Sequence, residues 1–180
     1  YKRQGKDIVC GGETLAEGIA VKKPGAVTQP VIGQHVDDVL LVNEQSLEWA
    51  VGTLVEQQRV VSEGAGAAGI AAIHQHREIF AGKKVGVVIC GGNIDPRLLA
   101  SILNRNMASD GRLARLRIDI SDEPGMLAGI TASISRCGGN IVEIYHQRLF
   151  YDGPAKRAKI DAVIEPRGPA HVTEIIEDLR

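Results

Sequence analysis

The 180 residues carry 21 basic and 22 acidic side chains, for a formal net charge of −1, and 44% are hydrophobic. That balance gives no electrostatic reason to expect nucleic acid or anionic lipid as a partner, and no apolar run approaches membrane-spanning length. Three cysteines lack metal-ligand spacing, and their odd number cannot close a complete set of internal disulfides, so a reducing cytoplasm and no metal are expected. The length suits one domain or two small ones. The chain opens at Tyr1 without a Met, as an internal point of a longer protein would.

Residues 1–35 are rich in Gly, Lys and short polar side chains. Within them, 14–21 lies between Gly11-Gly12 and Pro24-Gly25 and reads as loop plus a short helix. Residues 37–42 read as a short strand. Asn43 caps the next helix, where Leu47, Ala50, Val51, Leu54 and Val55 recur at three- and four-residue spacing. Gly64, Gly66 and Gly69 then satisfy G-x-G-x-x-G. A dinucleotide site needs an acid at the end of the following strand, and that strand ends instead in Cys90. The glycines therefore read as close packing of a helix, or as a helix start lining some other cofactor. Glu63, just ahead, is a surface residue or a site carboxylate; His74 and His76 read as surface residues near the helix end.

The central stretch is residues 84–96. Five of the six residues from 85 to 90 are apolar, which fits a strand buried on both faces of a mostly parallel sheet. Gly91-Gly92 allows a sharp turn and close approach to a ligand. Asp95 at the N-cap and Pro96 at the first helical position open a helix carrying Leu98, Leu99 and Ile102. Ligands in open α/β sheets sit beyond the carboxyl ends of strands, which makes Cys90 a candidate binding residue; the bland alternative is an inert buried thiol.

Beyond the turn at 108–111 the pattern changes. Leu113, Leu116, Ile118 and Ile120 read as a strand, 121–125 as a turn into a helix with Met126, Leu127, Ile130 and Ile134, and Gly138 or Gly139 as its C-cap. Ile141, Glu143 and Tyr145 alternate with Val142 and Ile144, then residues 151–154 form a hairpin turn. Residues 159–165 give another strand, and Gly168-Pro169 opens a last helix. The order is β-α-β-β-α, one strand short of a ferredoxin-like unit.

Thr14-Leu15-Ala16-Glu17-Gly18-Ile19-Ala20-Val21 with Pro24-Gly25, Glu63-Gly64-Ala65-Gly66-Ala67, and Cys90-Gly91-Gly92-Asn93 together resemble threonine dehydratases (threonine ammonia-lyases). These are pyridoxal-phosphate enzymes of the tryptophan-synthase-β-like fold, fold type II. Residues 111–116, 122–127 and Gly139-Asn140-Ile141 look like an ACT regulatory domain. The resemblance implies an α/β chain with residues 1–109 as the C-terminal part of the catalytic domain. Residues 110–180 would be an α+β, ferredoxin-like ACT domain without its last strand.

It also implies site residues. At the position matching Cys90 the family places Ser or Cys against the pyridine nitrogen of pyridoxal phosphate. A neutral thiol there makes the ring a milder electron sink than an Asp would, sufficient for loss of the α-proton and then the β-hydroxyl. Gly91, Gly92, Asn93, Glu63, Gly64 and Ala65 match the surrounding cofactor-binding positions, while Glu17 replaces an Asp common in its motif. The family's Schiff-base lysine and glycine-rich phosphate loop match nothing in this chain. Its lysines stand mostly in polar or paired-charge contexts, whereas a Schiff-base lysine needs desolvation. The chain alone is therefore expected to be inactive, and the intact protein to deaminate threonine (or serine).

In the ACT-like part the resemblance implies an effector site for an amino acid such as isoleucine or valine at Asp122, Glu123, Pro124, Gly125, Met126 and Leu127, with Gly139, Asn140 and Ile141 close by. A helix N-terminus offers free N–H groups to an α-carboxylate. The alternative is a domain that merely dimerises. The expected assembly is a cytoplasmic homo-oligomer acting in amino-acid metabolism; a free-standing regulatory or amino-acid-binding module is the competing reading.

Overall fold

The structure, a computed structural model, describes residues 12–22, 25–149 and 153–180. It divides into two compact units, Tyr1–Leu103 and Asn104–Arg180, with the boundary inside one helix. The expectations at Gly11, Pro24 and residues 151–152 of the expected turn lie outside the described residues.

The first unit is helical. A 3-10 turn, Glu17–Ile19, precedes α1 (Thr28–His35), α2 (Glu44–Thr53), a π-helical turn (Leu54–Gln58), α3 (Gly64–Gln75), the short α4 (Arg77–Phe80) and α5 (Pro96–Ser109). The Asn43 side chain accepts from the Ser46 N–H at 2.8 Å and starts α2, and Asp95 accepts from the Leu98 N–H at 2.9 Å at the start of α5. Leu47, Ala50, Val51 and Leu54 of α2 and its extension bury their apolar stripe against Ala67 and Ala71 of α3 and Ile102 of α5. The small residues on α3 let the helices approach closely. The π turn ends at Arg59, whose φ of 58° places it in the left-handed region.

Two strand expectations are overturned here. Residues 37–42 and 85–90 form no strand, and Cys90, Leu41 (82% exposed) and Val88 (84% exposed) face outward. A parallel strand is held by hydrogen-bonded neighbours delivered by crossovers, and none of the described residues pairs with either segment. The apolar run records a preference for burial that this chain leaves unmet.

The second unit contains the sheet: β1 (Ala114–Ser121), α6 (Met126–Arg136), β2 (Asn140–Gln147), β3 (Arg157–Glu165) and α7 (Pro169–Asp178). The strand order is β1-β3-β2 and both pairings are antiparallel, in the β-α-β-β-α element order expected of this part; the mostly parallel sheet expected of the first part is absent among the described residues. Leu116, Ile120, Ala158, Ile160, Ala162 and Ile164 turn one sheet face toward Ile130 and Ile134 of α6 and Ile175 of α7. A bulge between Ile141 and Glu143 adds one residue to β2. It places Ile141 with Ile144 against the core, rather than with Glu143 and Tyr145 as simple alternation predicts. Helix α6 closes in a Schellman motif: Gly138, at φ +83°, donates to the Ser135 carbonyl at 2.9 Å, and Gly139 donates to that of Ile134 at 3.0 Å.

Candidate cofactor site

Glu63 sits where three segments of the first unit meet. Its N–H donates to the Gly91 carbonyl at 3.0 Å, and its own carbonyl accepts from Ala67, starting α3. The buried Ser62 hydroxyl donates to the Glu63 carbonyl at 3.0 Å and lies 3.5 Å from that of Cys90. These bonds fix the approach of residues 90–92 to the α3 N-terminus without using any side chain of the loop. Two glycines let neighbouring segments come close to the start of α3. A Cβ on Gly66 would stand 1.6 Å from the Cys90 carbonyl oxygen, and one on Gly64 2.4 Å from that of Leu15. The G-x-G-x-x-G spacing is thus explained by packing, with Gly69 pressed against Val87.

A cavity of about 670 Å³ opens beside this junction, lined among others by Leu15, Glu17, Gly18, Glu63, Gly64 and Asn93. The start of α5 closes one side through Asp95, Pro96 and Leu98. The expected cofactor residues Glu63, Gly64 and Asn93 therefore share one wall. Cys90, Gly91 and Gly92 lie outside the lining of this cavity, in the loop that Glu63 bonds, and Ala65 lies one step along α3 near Gly18. The Glu17 position also lines the cavity.

Sequence reading missed one contributor and one packing feature. Glu44, at the start of α2, accepts from the Thr14 hydroxyl at 2.5 Å and from the Leu15 N–H at 2.7 Å, holding Leu15 at the cavity wall. Its only sequence signal was an acid in a first helical turn. Trp49 stacks on His74 with ring centroids 3.7 Å apart; burial and then the neighbouring Arg77 push this imidazole below its usual range. His76 contacts the Leu41 carbonyl at 2.9 Å. Both histidines serve packing. No group of three metal-ligating side chains occurs among the described residues.

The expected effector residues are more dispersed in role. Asp122 pairs with Arg148 at 2.7 Å, and its N–H donates to the Lys156 carbonyl. Pro124 and Gly125 (φ +94°) are exposed at the α6 start. Met126, Leu127 and Ile141 pack against the sheet core, and Asn140 donates to Glu165 at 2.8 Å.

Comparison with known proteins defines the class. Residues 2–91, half of the chain, match the family described as pyridoxal-phosphate dependent enzymes. The chain belongs to that family, whose cofactor is pyridoxal phosphate and whose fold is fold type II; the described residues are mixed α and β. Among its relatives, the chain is similar to an L-threonine ammonia-lyase of Thermotoga maritima. Identity is 38% over 96% of this chain and 43% of that protein. A second L-threonine ammonia-lyase, from Geobacter sulfurreducens, is 36% identical over 93% of this chain and 42% of its own length. The catabolic L-threonine dehydratase of Escherichia coli K12 is 37% identical over 46% of this chain and 26% of its own length. The chain thus spans less than half the length of these relatives. No helix among the described residues is long and apolar enough to cross a membrane.

Proposed function

We propose that this chain forms one wall of the active site of a pyridoxal-phosphate-dependent threonine ammonia-lyase, joined to a regulatory unit. The observation that carries the reading is the junction of Glu63 with Gly91, beside a cavity that also takes Gly64 and Asn93, in a chain of this enzyme family. The donors present suit the group: an exposed thiol at Cys90 and a carboxylate at Glu63, on backbone tied together by the Glu63–Gly91 hydrogen bond. Cys90 would face the ring nitrogen, with Glu63 alongside the ring and Asn93 lining the approach. Bound pyridoxal phosphate supplies the electron sink for removal of the substrate's α-proton and β-hydroxyl. Cys90 keeps that sink mild, because a thiol does not hold the ring nitrogen protonated. Leu15 and Leu98 make the cavity wall partly apolar.

The lysine that anchors the cofactor would come from residues outside this chain, so the 180 residues alone are inactive. The test is release of ammonia and 2-oxobutanoate from threonine by the full-length protein. Cys90→Ser should retain activity, and Cys90→Ala should lower kcat about tenfold or more through the lost hydrogen bond. Equal activity in all three would overturn the role of Cys90. Borohydride reduction of the isolated chain with pyridoxal phosphate should give no specific internal lysine adduct; a single adduct with ammonia release would overturn its inactivity.

The second unit is proposed to sense an amino acid as an ACT domain in a cytoplasmic homo-oligomer. Support comes from the exposed α6 start at Pro124 and Gly125, beside the Asp122–Arg148 pair. Met126, Leu127 and Ile141 would act there through the backbone or the packing, since their side chains serve the core. Calorimetry with isoleucine, valine and threonine tests this, and no heat from any of them would favour a purely dimerising unit.

A further inference from the structure

The Glu63 carboxylate is threaded between two glycines from different segments. A Cβ built on Gly91 would lie 2.6 Å from both Cδ and Oε1 of Glu63. A Cβ built on Gly18 would lie 2.8 Å from Oε1 and 3.9 Å from Cδ. Real Cβ atoms do not approach neighbours so closely, so the carboxylate occupies space that a side chain at either position would claim. The glycines play unequal parts. Gly91 has φ +71°, and its amide plane is tied to Glu63 through the Gly91 carbonyl, so a side chain there strains the loop itself. Gly18 lies in the 3-10 turn Glu17–Ile19, and the atom its Cβ would meet first is the free end of a flexible side chain. Its other near neighbour, the Cβ of Ala65 at 3.2 Å, requires only a small adjustment. A methyl at Gly18 therefore moves the carboxylate and leaves the backbone in place.

We infer that Gly18 is a positioning residue: its missing side chain lets the Glu63 carboxylate stand at the cavity wall, in the place it would occupy beside a cofactor ring. The role beside the ring rests on the function proposed above; the placement of the carboxylate does not. Gly18 touches neither reacting atoms nor cofactor in this reading, and acts only through Glu63. A methyl there turns the Glu63 side chain away, and shortening that side chain by one methylene, as in Glu63→Asp, relieves the conflict.

The experiment uses the full-length protein with its glutamate side-chain carboxyls carbon-13 labelled, without cofactor and then titrated with pyridoxal phosphate. Gly18→Ala should displace the Glu63 carboxyl resonance while leaving the thermal midpoint within about 2 °C. It should weaken pyridoxal phosphate about tenfold, the loss of one charge-assisted contact. Gly18→Ala combined with Glu63→Asp should recover most of that affinity. In a Glu63→Ala background, Gly18→Ala should change affinity no further. An unmoved Glu63 resonance in Gly18→Ala overturns the inference, as does a full affinity loss from Gly18→Ala in the Glu63→Ala background. A displaced resonance in a protein that binds no pyridoxal phosphate in any variant supports the placement and overturns the cofactor reading instead.

Discussion

Asp161 is 4% exposed at the middle of β3, on the sheet face away from the helices. Arg115 of β1 donates to both its carboxylate oxygens, one at 2.5 Å, and Arg117 stands 4.0 Å away. The hydrogen bond from Arg115 holds the Asp161 carboxyl below its usual range; burial works the other way and loses. Asp178, bonded by the Ser133 hydroxyl and Arg136, is lowered by the same means. A carboxyl lowered on folding stabilises the fold above its unfolded-state pKa, and that contribution disappears as pH falls through the folded-state value. Stability should therefore decline as pH drops through and below the ordinary carboxylate range. Asp161→Asn should flatten part of that decline, leaving the share of Asp178, while lowering stability at neutral pH because Arg115 loses its partner. Urea midpoints between pH 2 and 7 measure both; parallel curves for variant and parent would remove Asp161 from the account. Cys137 shows the opposite sign: burial and then Asp178 push its thiol up, which suits a packing residue rather than a nucleophile.

Among the elements, α3 is the one whose fit is least forgiving. A methyl on Gly66 meets backbone, the Cys90 carbonyl, and no rotamer change can relieve that contact. Gly66→Ala should cost about 3 kcal/mol and shift the denaturant midpoint accordingly, although alanine is intrinsically the better helix former. A gain in stability would mean that residues 87–90 do not lie against α3. The contrast shows what sequence could convey. Elements announced by local chemistry were legible: Asn43 before α2, Asp95-Pro96 before α5, Gly138-Gly139 after α6 and Pro169 opening α7. Features decided by distant partners were not. Val85, Val87 and Val88 specify a wish for burial without specifying a neighbour, so the expected strand is absent. The bulge in β2 reverses the facing of Ile141 through one extra residue that no side-chain pattern marks. α1 buries no residue and carries Pro30 and Gly33, so it lacked the periodicity that identifies a helix. The Glu63 site was half legible: Glu63, Gly64 and Asn93 were named from motifs, whereas Gly18 and Glu44 emerge only from distances.

At the scale of the whole molecule, the two units bury separate apolar clusters, one around Leu47, Val51 and Ile102 and the other around Ile134, Ile160 and Ile164. Their boundary falls at Leu103 and Asn104, within α5, so one helix is common to both while the side-chain cores are not. Separate cores predict separate cooperative transitions in calorimetry, because each core supplies its own burial energy against its own chain entropy. Ile134 is fully buried, and Ile134→Ala should cost about 3 kcal/mol, lowering one transition by more than about 10 °C in a unit of this size. Gly66→Ala should lower the other. Each substitution should leave the second transition within about 2 °C, since mutations in separate cores add independently. A single transition moved by both substitutions would overturn the separation of the two cores.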